Sequence, residues 1–329
     1  MVRRQLLVLV LVLLVGISAQ AWDGHDMITT HSLQDLGVLQ LALTETEYVY
    51  GELDLDEYNP AFVLEFRHPD LDEVSALEVL SVYSSEPDWD FDNDLDVHWL
   101  QALTGGSQGW RHQRYTLLGG LIVLGEAPQR AQKFYDLALY AHEQGDPYWA
   151  FRLLARSLHF VQDMGQPFHA LPMPIQHFIT EHRLNLTNAT TVAENAHYNL
   201  EGYVEYKLQE GYEPFILALT GTQAASVVSV EAAAIELNMK MRDLAEDQYY
   251  RVMEVWPHLA APTSITLDFT RDRPQSEQAL AELHDIIKTS LRLTAEYTRG
   301  IVQRFLKETG RGSGPQEINS IPALLMPAA

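Results

Sequence analysis

The stretch LHFVQDMGQPFHA, Leu158 to Ala170, decides how the chain is read. Phe151, Leu154, Leu158 and Val161 recur at steps of three and four, the mark of a buried helical stripe. Upstream, Asp146-Pro147 has the form of an N-cap followed by proline at the first helical position. His159 and Asp163 therefore share one face of a helix, about one turn apart. An imidazole and a carboxylate aimed the same way suit a metal ion, which needs convergent donors. His169 follows after Pro167 interrupts the helical hydrogen-bond ladder. Alone, a His–Asp pair at this spacing is more often a surface pair, and the third histidine shifts the balance.

Outward from this stretch, NAHYNLEGYVEY sets His197 and Glu201 at the same i, i+4 spacing. From Gln129 to about Lys307 the apolar spacing is mostly helical, with long amphipathic helices predicted over Val227–Trp256 and Glu277–Leu306. Pro262–Pro274 reads as a loop between helices, and Thr44–Gly109 as loops and short helices. Neither a run of alternating strands nor a Gly-rich phosphate loop is evident. The reading is all-α, a single multi-helix domain around a central site.

At the N-terminus, Arg3 and Arg4 precede the apolar run Leu6–Val15, and Ala19-Gln20-Ala21 follows. That run is too short to span a bilayer but matches a signal peptide with an A-x-A cleavage site. The domain organisation expected is a signal peptide over 1–21, a helical domain over 22–309 and a flexible tail over 310–329. The mature chain would then start at Trp22, be secreted or periplasmic, and contain no transmembrane span. The chain has no cysteine, so neither disulfides nor thiolate ligands contribute. Its 47% hydrophobic and 20% charged residues describe a globular protein. The formal net charge of −23, with no basic cluster, is unlike the footprint of a nucleic-acid binder.

The two motifs together resemble the zinc-dependent phospholipase C family, which shares its fold with the S1/P1 nucleases. That family carries His-x3-Asp-x5-His on a helix, then His-x3-Glu or His-x3-Asp, and begins its mature chain with a zinc-binding tryptophan. The resemblance implies three Zn2+ ions. One would be held by Asp88, His112, His159 and Asp163, a second by His169, His197 and Glu201, and a third by Trp22, His25 and Asp163. His31 is the alternative to His25, and His98 the alternative to His112. Asp88 stands among five aspartates between Asp88 and Asp96, any of which could be the ligand, and this stretch could equally be a solvated acidic loop. Asp88 is also the candidate general base. The remaining histidines (68, 142, 177, 182, 258 and 284) match no motif, and Asn185 and Asn188 open two N-x-T sequons.

By the same resemblance, the chemistry is hydrolysis of a phosphodiester by zinc-activated water. Phospholipid is the first substrate, giving diacylglycerol and a phosphoalcohol and bringing the protein to a membrane surface as a peripheral contact. Glu201, the lack of cysteines and the acidic charge favour it. A single-strand nuclease is the alternative, favoured by the short Trp22–His25 spacing. A third reading is a secreted helical protein whose zinc is structural rather than catalytic.

Overall fold

The computed structural model describes residues 24–54, 58–68, 73–117, 121–181 and 185–311. The expected signal peptide, Trp22, His182 and all but the first two residues of the expected tail lie outside them.

The chain is all-α. Its centre is a helical hairpin, α4 (Ala127–Glu143) and α5 (Pro147–Asp163). Gly145 turns the chain between them at φ +80°, a left-handed conformation that glycine adopts without Cβ strain. Asp146 then caps α5 by accepting from the Trp149 N–H at 3.2 Å. The stripe read from the sequence is buried, but so is every other residue from Tyr148 to Asp163. A helix buried on all sides must be covered all round, and α2 (Ala76–Tyr83), α4, α9 (Val230–Val255) and α10 (Glu277–Glu308) pack against it. Each leucine or phenylalanine so buried contributes roughly 1.5–3 kcal/mol.

Earlier in the chain, α1 (His25–Leu33) packs on α2, and α3 (Gly106–His112) leads into a hairpin. Past the centre come α6 (Ile175–Thr180), α7 (Leu186–Gln209) and α8 (Glu213–Leu219). Side-chain caps start the long helices: Asn185 for α7, Ser229 for α9 and Ser276 for α10. The two late helices predicted from periodicity are α9, trimmed by three residues at its start and one at its end, and α10, which runs two residues further than predicted. Two small antiparallel sheets depart from the strand-free expectation: β1 (Ala42–Leu43) with β2 (Val74–Ser75), and β3 (Tyr115–Leu117) with β4 (Ile122–Leu124). Both are local ties between loops and leave the fold class unchanged.

The apolar interior falls into two main clusters. One surrounds α2, α4 and α5; the other joins α7, α8, the end of α9 and the start of α10. The chain crosses between them just after α5, since Met164 belongs to the first and Phe168 to the second. Gly165 permits the crossing, because a Cβ there would meet Thr294 Oγ1 on α10 at 2.0 Å. The stretch that opened the sequence analysis is thus the seam of the molecule.

Candidate metal centre

The seam is lined with donor atoms from five distant segments. α5 supplies His159 and Asp163, and the 3-10 turn after Pro167 supplies His169. α7 supplies His197 and Glu201 on one face, α1 supplies His25 at its first turn, and α3 supplies His112 at its last. Asp88 comes from a 3-10 turn after α2. All are buried except Asp88, whose side chain is 22% exposed at the rim although its Oδ1 is covered. Three groups have donors within 4.8 Å of one another: His25, His159 and Asp163; Asp88, His112 and His159; and His169, His197 and Glu201.

Hydrogen bonds fix which nitrogen of four of these imidazoles points inward. Gln162 donates to Thr29 Oγ1 at 2.9 Å, so its Oε1 accepts from His25 Nδ1 at 2.7 Å. His159 Nδ1 donates to the Ser84 carbonyl at 2.7 Å, and His169 Nδ1 to the His112 carbonyl at 3.0 Å. His112 Nε2 donates to Asp92 Oδ2 at 3.0 Å. An imidazole that donates from one nitrogen turns the lone pair of the other to the opposite side. The lone pairs of His25 Nε2, His112 Nδ1, His159 Nε2 and His169 Nε2 therefore converge on the seam.

These lone pairs and carboxylates crowd one another. His159 Nε2 lies 2.9 Å from His112 Nδ1, and Asp163 Oδ2 lies 3.0 Å from His112 Nδ1 and 3.3 Å from His159 Nε2. His169 Nε2 stands 3.1 Å from His197 Nε2 and 3.4 Å from Glu201 Oε1. His25 Nε2, Asp88 Oδ1 and Asp163 Oδ1 are buried without a hydrogen-bond partner. Only positive charge satisfies such a set, from protons or from metal ions. Burial alone would lower His112, yet Asp163 and Asp92 outweigh it and raise the ring to about 10. His25, by contrast, is pushed down to about 3 by burial and by His159. Burial raises Asp88 to about 6 against the pull of His159 and His112. Burial would also raise Asp163 and Glu201, but the surrounding histidines hold both below the ordinary carboxylate range. Nitrogen and oxygen donors with fixed tautomers and orphaned inward atoms are the donor chemistry of a transition-metal site.

No protein-family model matches the chain. A curated protein named phospholipase C, from Paraclostridium bifermentans, is 24% identical over 261 residues, covering 74% of this chain and 56% of that protein. The chain resembles the zinc-dependent phospholipase C family. It spans little more than half the length of that phospholipase C. Among solved structures it is similar to Clostridium perfringens alpha-toxin from avian strain SWCP, with 15% identity, 91% of this chain and 66% of that chain covered, and a TM-score of 0.41.

The alternatives left open by the sequence stand apart from the three groups. His31 lies on α1 six residues beyond His25, half-buried. His98 stacks on Trp110 with ring centroids 3.9 Å apart. Asp90, Asp94 and Asp96 belong to none of the groups, whereas Asp92 is buried behind His112. Trp22 lies outside the described residues.

Three residues around the site went unread in the sequence, Ser84, Gln162 and Gln166, and Asp92 was read only as a possible ligand. Gln166 donates to Glu201 Oε1 at 3.3 Å. Asp92 is held ionised because Arg130, His112 and Arg111 together outweigh the cost of its burial. Arg111 reaches it at 2.5 Å and Arg130 at 3.0 Å. The available signal was Asp92 following Asp88 by four within the acidic run, with an arginine immediately before His112.

Proposed function

We propose that this chain is an exported, zinc-dependent phospholipase C that hydrolyses phospholipid headgroups to diacylglycerol and a phosphoalcohol. The observation that carries the reading is the inward convergence of lone pairs with carboxylate oxygens left unpartnered between them. Asp88, His112, His159 and Asp163 would hold one zinc, and His169, His197 and Glu201 a second. His25 and Asp163, joined by the amine and carbonyl of Trp22, would hold a third. Zinc supplies Lewis acidity toward the phosphate and a water acidified toward neutral pH. Asp88 sits at the rim of the site, where it would be both a zinc ligand and the candidate general base. Asp92, Ser84 and Gln162 hold the imidazoles in their inward tautomers. The helical unit over 22–309 would be the catalytic domain, freed by cleavage after Ala21.

Side-by-side hydrolysis of a soluble phosphocholine ester and of single-stranded DNA, by zinc-loaded and chelated protein, tests the reading. Zinc-dependent cleavage of the ester is expected. Cleavage of DNA alone would establish the nuclease instead, and fully zinc-loaded protein inert on both would leave the zinc structural. An extra methionine before Trp22 turns its amine into an amide, so that form should hold less zinc and act slowly until trimmed. Equal zinc and activity in both forms would remove Trp22 from the site.

A further inference from the structure

The β3–β4 hairpin leaves α3 directly from His112, and its first strand is zipped to the seam. The Arg114 N–H donates to the His169 carbonyl at 3.1 Å, next to the His169 Nδ1 bond to the His112 carbonyl. Tyr115 opens β3, its ring packed with Trp110, Leu117 and Leu124 and only 2% exposed. Its hydroxyl has no hydrogen-bond partner. Other buried or half-buried tyrosines in the molecule do: Tyr148 donates to Tyr83, Tyr135 to Glu308 and Tyr50 to Asp146. Tyr249 is also unpartnered, but its ring lies against His177, which belongs to none of the metal groups. The neighbours that act on the Tyr115 phenol besides burial are Tyr198 and Glu201, both on α7, and the phenol is held protonated far above neutral pH. A buried O–H without a partner costs stability, and the acceptor of a ligand would satisfy it.

We propose that Tyr115 is a substrate-binding residue whose hydroxyl donates a hydrogen bond to a non-bridging phosphate oxygen brought to the His169, His197 and Glu201 group. No proton is transferred; the bond positions the phosphate and strengthens as charge develops on its oxygens. The same contact would serve a phosphodiester or free phosphate. The assignment rests on the phosphodiesterase reading for its catalytic consequence, but not for the binding itself.

The test uses zinc-loaded mature protein. Tyr115→Phe should lower kcat/KM on the phosphocholine ester by ~10- to 100-fold, the worth of one hydrogen bond to a charged acceptor. Calorimetric binding of inorganic phosphate should weaken by a similar factor, with zinc content unchanged. Tyr249→Phe, which removes the other orphaned tyrosine hydroxyl among the described residues, should change neither. In the otherwise unaltered protein, 3-fluorotyrosine at position 115 should show a fluorine resonance that moves on phosphate addition, a readout independent of how the phenylalanine variant folds. Equal phosphate binding by wild type and Tyr115→Phe, or an unmoved resonance, overturns the assignment. Phosphate binding that depends on Tyr115 in a protein inert toward both esters and DNA would support it while removing the hydrolase reading.

Discussion

α5 carries two buried polar pairs, each at i, i+4, that differ in one respect. Arg152 and Arg156 meet Glu86 at 2.5 and 2.7 Å, and all three are shut away from solvent. Arg152 also donates to the Glu65 carbonyl at 2.6 Å; Arg156 Nη1 has only Asp54 Oδ2 at 3.8 Å, but both Glu86 oxygens are matched by donors within the protein. One turn further on, His159 and Asp163 face other lone pairs and carboxylate oxygens, and Asp163 Oδ1 has no partner. The same helix therefore holds a closed polar cluster and an open one. Burial and polarity are shared, so neither marks a functional site; what marks it is acceptors left over once the hydrogen bonds of the protein are assigned.

The comparison is most strongly tested by chelation. If the open cluster is completed by zinc, removing the metal should lower the Tm by on the order of 10 °C or more, since each saturated site adds about 4 kcal/mol when zinc stands a thousandfold above its Kd. An unchanged melting curve after verified metal removal would place the seam in the closed class.

The closed cluster should respond to mutation instead. Glu86→Gln leaves two buried arginines short of their counter-charge and should cost about 3–5 kcal/mol in urea unfolding, with zinc content unaltered. Burial would raise the Glu86 pKa, but Arg156 and Arg152 outweigh it and hold it below the ordinary glutamate value of 4.5. Its contribution is thus present above the unfolded value and lost as pH falls through the lower folded value. The gap between wild type and Glu86→Gln should therefore narrow below about pH 4.5 and stay constant above it. A gap that widens on acidification would reverse the assigned sign. Replacing Glu86, Arg152 and Arg156 together with apolar residues of similar volume should recover most of the loss.

A smaller effect is expected from Asp92→Asn, which leaves every inward donor in place but weakens the hold on His112. Zinc affinity should fall by ~10- to 100-fold at the site that shares His112, measured by competition with a chelating dye. Unchanged affinity would mean that Asp92 serves Arg111 and Arg130 alone. The smallest effect belongs to the exposed Arg292–Glu296 pair on α10. Arg292→Ala should change stability by no more than about 0.5 kcal/mol, with neither zinc nor activity affected; a loss as large as that of Glu86→Gln would undo the distinction between buried and surface pairs.

Much of this organisation is local and was legible from the sequence. The Asp146 cap, the stripe along α5, and the pairs His159/Asp163 and His197/Glu201 follow from helical periodicity, because residues four apart share a face wherever the helix lies. Which of several similar side chains enters the seam is not local. His25 and His31 are six apart, roughly 240° around a helix, so α1 can turn only one of them to a given neighbour; its packing on α2 and α10 decides which. Asp88 and Asp92 sit in the same acidic run, yet one turns inward and the other backs His112, a division made by Arg111 and Arg130. His98 is diverted by stacking on Trp110. Tyr115 gave no sign in the sequence, since an orphaned hydroxyl exists only once the surrounding partners are assigned. The sequence by itself determined the helices and the donors at fixed spacing within them. The tertiary structure decided which isolated residues join those donors, because that choice depends on contacts between separate segments, from His98 with Trp110 to His25 with Gln162.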